Sequence, residues 1–160
     1  MFTNLKNLTV QEAKNLNPQV LAFVGDSVYT LFVRTMLAEK FDVKSGKLHT
    51  LANEYVKAGG QSDALEKILE LLFDIDPFDQ PGVEVYKKEV REKILEILTE
   101  DELAIFKRAR NYKTHSVAKN ANVIDYKRAT GFEAVVGYIY LIGNYERLNQ
   151  ILTICIKGEN

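Results

Sequence analysis

From Val20 to Val33 the chain reads Val-Leu-Ala-Phe-Val-Gly-Asp-Ser-Val-Tyr-Thr-Leu-Phe-Val, apolar on every helical face, with Asp26 as its only charge. A helix of that kind is expected to be buried. The positions three and four residues away from Asp26 are Ala22, Phe23, Tyr29 and Thr30, so its own helix offers no cation. The pattern recurs between Ala129 and Tyr145, where Glu133 is the only charge and its helical neighbours are Ala129, Thr130, Val136 and Gly137. An unpaired carboxylate in a core costs several kcal/mol and persists only where something compensates it. Each acid also has glycine close by, Gly25 beside Asp26 and both Gly131 and Gly137 near Glu133. Glycine inside a helix costs about 1 kcal/mol relative to alanine, so its presence points to close approach of a backbone or a ligand. Two core helices crossing there would bring the acids together. Carboxylates sharing a cleft repel unless one is protonated or a cation lies between them, and oxygen-only ligands favour a hard ion such as Mg²⁺ or Mn²⁺. Alternatively, either acid pairs with an arginine from elsewhere or faces water at the edge of the core.

The remainder of the 160-residue chain also reads as helix. Asn17-Pro18 is an N-cap followed by proline at the first helical position, and the helix it opens should run to about Lys40. Leu48, Leu51, Ala52, Tyr55 and Val56 line one face of a helix from Lys47 to about Ala58. Further helices are expected over residues 62–73 and 83–98, with a loop over 74–82 between them. Thr99-Glu100-Asp101-Glu102 has the form of a capping box and opens a helix to about Arg110. Residues 111–126 read as a polar basic loop. Helices over 127–142 and 145–156 follow, separated by the Gly143-Asn144 turn. The expected architecture is all-α, a single domain over residues 1–160 with seven or eight helices. At this length folding buries roughly 70% of the surface of the extended chain, so a core forms without disulfides or a structural metal. Cys155 is the only thiol, and no signal-type N-terminus or uncharged run of about 20 apolar residues is present. A reducing cytoplasm and no membrane span are the corresponding expectations.

Charge is distributed unevenly. Residues 63–106 carry 5 basic and 13 acidic groups, whereas residues 107–128 carry 7 basic groups against Asp125 alone. A net +6 in 22 residues is a candidate footprint for a polyanion, with a solvated loop as the alternative. His49 and His115 lack the spacing of a zinc pair or a di-iron motif, which excludes a metallo-oxidase.

Asn17 to Tyr29, read as Asn-Pro-Gln-Val-Leu-Ala-Phe-Val-Gly-Asp-Ser-Val-Tyr, resembles the signature helix of the ribonuclease III catalytic domain. Phe132-Glu133-Ala134-Val135-Val136-Gly137-Tyr138-Ile139-Tyr140-Leu141 resembles its second acidic helix. Between them, Arg108 to Lys113 and Val117 to Asn120 are similar to the basic segment of the short bacterial subfamily called Mini-ribonuclease III, as is Leu48-His49 with the helix that follows. The resemblance covers most of residues 17–156. It implies a ribonuclease III-type helical domain and a Mg²⁺-dependent endoribonuclease of double-stranded RNA, with Mn²⁺ as a substitute ion. Asp26 and Glu133 would be the catalytic and metal-binding residues. It implies a homodimer with one site per subunit, maturation of the ends of large-subunit (23S) ribosomal RNA precursor as the task, and no appended double-stranded-RNA-binding domain. The basic block then acquires a role. Arg108, Arg110, Lys113, Lys119, Lys127 and Arg128 would grip phosphates, and Asn111, His115 and Asn120 would reach 2′-hydroxyls.

The broader family pattern carries further acids where this chain has Gln19, Ala22 and Thr130, as the short subfamily also does. Residues 73–98 look like an extra segment, placed away from RNA by their negative charge. A catalytically inactive RNA-binding protein of the same fold is the alternative function, and a helical adaptor would leave both acids without a purpose.

Overall fold

The computed structural model describes residues 5–56, 97–113 and 123–156. Among these residues six α-helices are formed: α1 (Val10–Asn15), α2 (Pro18–Lys40), α3 (Ser45–Val56), α4 (Glu100–Arg110), α5 (Val123–Leu141) and α6 (Tyr145–Ile156). The helices expected over 62–73 and 83–98, the loop between them and the extra segment over 73–98 lie outside the described residues, apart from Ile97 and Leu98.

Four of the six described helices start at a cap with a local chemical cause. α1 and α4 both open with a complete capping box: Thr9 and Thr99 accept from the amides of Glu12 and Glu102, whose carboxylates accept from the Thr9 and Thr99 amides. The Thr9 hydrogen bonds hold the Glu12 carboxyl below its ordinary pKa, because they favour its charged form. At α2 the Asn17 Oδ1 accepts from the Gln19 amide at 2.9 Å, with Pro18 at the first position. α5 stops at Gly143, whose φ of 74° is left-handed. There the Gly143 amide donates to Tyr140 O at 3.0 Å and the Asn144 amide to Ile139 O at 3.2 Å, the paired bonds of a Schellman motif. Asn144 then caps α6 by accepting from the Arg147 amide at 3.2 Å.

α5 is the central element, with Ala129, Phe132, Ala134, Val135, Val136, Tyr138 and Ile139 all buried. α2 lies along it in the most extensive helix–helix contact among the described residues, and α4 packs on it next. Full burial of side chains such as Leu21, Val33 and Ile139 stabilises by about 1.5–3 kcal/mol each. The expectation that α2 is buried all round is corrected here. Leu21, Ala22, Gly25, Tyr29, Val33 and Leu37 face the core, while Val20, Phe23 and Leu31 stand exposed, Phe23 at 76%. The partners α3, α4 and α5 cover only one side of it. By length and composition α2 is also apolar enough to cross a membrane, with a mean hydropathy of 1.4 over its best window, yet here it is the packing partner of α5.

One buried ion pair ties the ends of three segments. Glu102 is 3% exposed, and its carboxylate receives Arg147 Nε at 2.9 Å and Nη2 at 2.7 Å. The same Nη2 donates to Ile97 O, and Nη1 reaches Gln150 Oε1 at 3.3 Å. Hydrogen bonding to Glu102 raises the Arg147 pKa above its ordinary value. Removing one partner of such a pair leaves the other charge buried. Glu102→Gln is therefore expected to cost about 3 kcal/mol in urea unfolding. Glycine substitutions separate crowded from open positions. Gly137→Ala, whose Cβ would lie 2.0 Å from Leu21 O, is expected to cost about 3 kcal/mol, whereas Gly46→Ala meets nothing within 4 Å and should stabilise by about 0.5 kcal/mol.

Candidate active site

The two helices that carry the acids touch backbone to backbone. A Cβ on Gly25 would lie 1.7 Å from Glu133 O and 2.8 Å from Gly137 N, and one on Gly137 would lie 2.0 Å from Leu21 O and 3.0 Å from Gly25 N. Only hydrogen at both positions permits that approach. Asp26 directly follows Gly25, and Glu133 itself supplies the carbonyl in contact, so both acids sit at the crossing. The register is braced by Tyr29 and Phe132, whose rings meet edge to face at 5.4 Å between centroids. Gly131 has a different task, since its missing Cβ makes room for the Phe106 ring of α4.

Asp26 is exposed and Glu133 half-buried. A buried Asp26 is thus not what the fold makes; the carboxylate is exposed, on the side of α2 that none of the described helices covers. Gln19 is exposed, Ala22 is buried, and Thr130 Oγ1 donates to Tyr126 O of its own helix at 2.9 Å. Among the described residues no group of three or more His, Cys, Asp or Glu side chains is placed to hold a metal. Two carboxylates alone still fit Mg²⁺, which keeps several waters and takes one or two carboxylates together with substrate phosphates.

The basic candidates divide by placement. Lys127 is exposed and Arg128 half-buried on α5, in the turns that lead to Glu133. Helix α5 begins at Val123, four residues before the expected start, so the basic loop is shorter than its polarity indicates. At the end of α4, Asn111 and Lys113 are exposed, while the Arg110 guanidinium lies 5.8 Å over the Phe106 ring and its Nε donates to Asn111 Oδ1 at 3.2 Å. Arg108 is turned onto the protein: Nη1 donates to Lys14 O at 2.6 Å and Nη2 to Leu16 O at 3.0 Å. His115, Lys119 and Asn120 lie outside the described residues.

Two residues absent from the sequence-based site stand between these groups. Asn17 Nδ2 donates to the Tyr112 hydroxyl at 3.2 Å, joining the start of α2 to the end of α4. The available signals were the cap role of Asn17 and the position of Tyr112 between Asn111 and Lys113. Neither signal indicates that the two meet. The Lys14–Asp101 ion pair at 2.6 Å adds a link between α1 and α4, and its hydrogen bond raises the Lys14 pKa.

An all-helical domain with one acid on each of two crossing core helices, and cations on adjoining helix ends, has the plan of a helical ribonuclease. The comparisons with known proteins agree. A family model described as "Ribonuclease III domain" matches residues 19–144. The chain is 37% identical over 153 residues to "Mini-ribonuclease 3" of Clostridium tetani, covering 95% of this chain and 84% of that protein. It is 40% identical over 147 residues to "Mini-ribonuclease 3" of Brevibacillus brevis, covering 90% of each. A crystal structure of a Fusobacterium nucleatum protein is similar with a TM-score of 0.65 at 29% identity, over 91% of this chain and 96% of that one. The chain belongs to the ribonuclease III family, in its Mini-ribonuclease 3 branch, and is an endoribonuclease.

Proposed function

We propose that the chain hydrolyses phosphodiester bonds of double-stranded RNA in a Mg²⁺-dependent reaction at Asp26 and Glu133, with Mn²⁺ as a substitute ion. The observation that supports this reading is the Gly25–Glu133 and Gly137–Leu21 backbone contact, a close crossing of the two helices that carry the acids. Asp26 and Glu133 would hold the cation, which when bound would supply activation of a water and stabilisation of charge on the leaving 3′ oxygen. Exposed Asn111, Lys113 and Lys127 line the approach from the ends of α4 and α5 and grip the RNA backbone, with Arg110, Arg128, His115, Lys119 and Asn120 as further contacts. Retention of both acids favours catalysis over an inactive RNA-binding role. The substrate we infer is large-subunit ribosomal RNA precursor, processed at its ends in the cytoplasm, with recognition supplied by this domain.

A duplex offers two antiparallel strands related by a two-fold axis, and a homodimer with one site per subunit matches that symmetry. The exposed apolar stripe of Val20, Phe23 and Leu31 supports it. It lies on the helix that carries Asp26, and an apolar face of that kind is suited to burial against a second copy.

Wild type is expected to cut an RNA duplex and leave the matching DNA duplex whole, in Mg²⁺ and not in EDTA. Asp26→Asn should abolish cutting while leaving RNA affinity largely intact; a variant that cuts at the wild-type rate overturns the assignment. Phe23→Lys should convert the dimer to monomer in sedimentation, and a wild-type monomer would remove the dimer from the proposal.

A further inference from the structure

The end of α4 is fastened to both sides of the α1–α2 junction. Helix α1 has only six residues, and of its last carbonyls Ala13 O accepts from the Leu16 amide at 3.2 Å, while those that follow lie past the reach of the helix's own amides. Arg108 supplies two donors, through Nη1 to Lys14 O at 2.6 Å and Nη2 to Leu16 O at 3.0 Å. One residue further on, Asn17 spends its Oδ1 on the Gln19 amide at 2.9 Å and its Nδ2 on the Tyr112 hydroxyl at 3.2 Å. Asp26 lies nine residues beyond Asn17 on the same uninterrupted helix, about 13 Å along its axis. Asn111 and Lys113, two exposed polar residues just beyond α4, flank Tyr112 directly. A guanidinium with both terminal nitrogens bonded to carbonyls has two of its five N–H donors committed and is held in one orientation against the protein.

Resting on the reading of the site given above, we propose that Arg108 and Tyr112 are positioning residues: they latch the RNA-gripping end of α4 to the helix that carries Asp26, and so set which phosphodiester reaches the acids. Binding strength then comes from Lys113 and its cationic neighbours, while the latch supplies the spacing between grip and cut. Loosening it leaves the ionic contacts in place and lets the duplex shift against the site. Displacement of about an ångström is enough to slow a reaction severely.

The test uses Arg108→Gln and Tyr112→Phe in the full chain, compared with Lys113→Ala, at a temperature where circular dichroism shows every variant folded. Single-turnover cleavage of an end-labelled RNA duplex at saturating protein gives the rate and the bonds cut. Affinity and its salt dependence are read in the Asp26→Asn background. The latch variants are expected to cut about tenfold more slowly and to spread their cuts to neighbouring bonds, with Kd and salt slope unchanged. Lys113→Ala should instead weaken binding and reduce the slope by about 0.9. A salt slope lowered to the same extent by Arg108→Gln would make Arg108 a phosphate contact and overturn the proposal. Latch variants that cut the wild-type bonds at the wild-type rate would overturn it while leaving the proposed function standing. A wild-type protein that leaves the duplex whole overturns the proposed function, and the latch falls with it.

Discussion

The contact of α2 and α5 at Gly25 and Gly137 is the constraint on which the rest of the molecule is arranged. Two helices can approach until carbonyl and amide nearly touch only where neither carries a side chain. Once they do, the Tyr29 and Phe132 rings fall into edge-to-face contact one turn away, and the backbones of Asp26 and Glu133 lie at the crossing. The glycines have a cost in helix propensity, about 1 kcal/mol each. The apolar surface that the close crossing buries along α2 and α5 offsets it. The stability of the crossing and the placement of the proposed site therefore depend on the same few atoms.

Around that crossing, polar links hold the outer helices in register. Arg147 and Glu102 join α6 to the start of α4, and Ile97 O is gathered into the same group. Lys14 with Asp101, Arg108 with the α1 carbonyls, and Asn17 with Tyr112 fix the other face of α4 against α1 and α2. Helix α4 is thus secured at both ends by side chains distant in sequence. Its apolar residues Leu103, Ile105 and Ala109 supply burial, but burial has no direction, and the hydrogen bonds select one position along the helix axis.

Helix starts were the most legible part of this chain, because capping is local chemistry. The boundaries of α2, α4 and α6 follow from Asn17-Pro18, from Thr99 with Glu102 and from Gly143-Asn144. The same capping pattern stands at Thr9 and Glu12, and α1 was overlooked because six residues leave too little periodicity to register beside it. α5 starts earlier than its sequence indicates, since polarity in its first turn marks solvent exposure as readily as loop. The crossing of the helices that carry Asp26 and Glu133 was readable from two lone acids with glycines beside them. The solvation of Asp26 was not, because an apolar sequence does not reveal which of its faces a neighbour leaves open.

The sequence by itself determined that the chain is helical, where most of its described helices begin, which two apolar helices each carry a lone acid, and which family it resembles, all of which reside in short spans of residues. The tertiary structure decided that α5 and not α2 is the helix enclosed on nearly all sides, that Phe23 and Asp26 share an open face, and that Arg108 bonds carbonyls of α1. The physical reason is range. Capping and helical periodicity act over three or four residues, whereas the burial of a face and the partner of a guanidinium depend on groups some ninety positions away in the chain, brought near only when the helices pack.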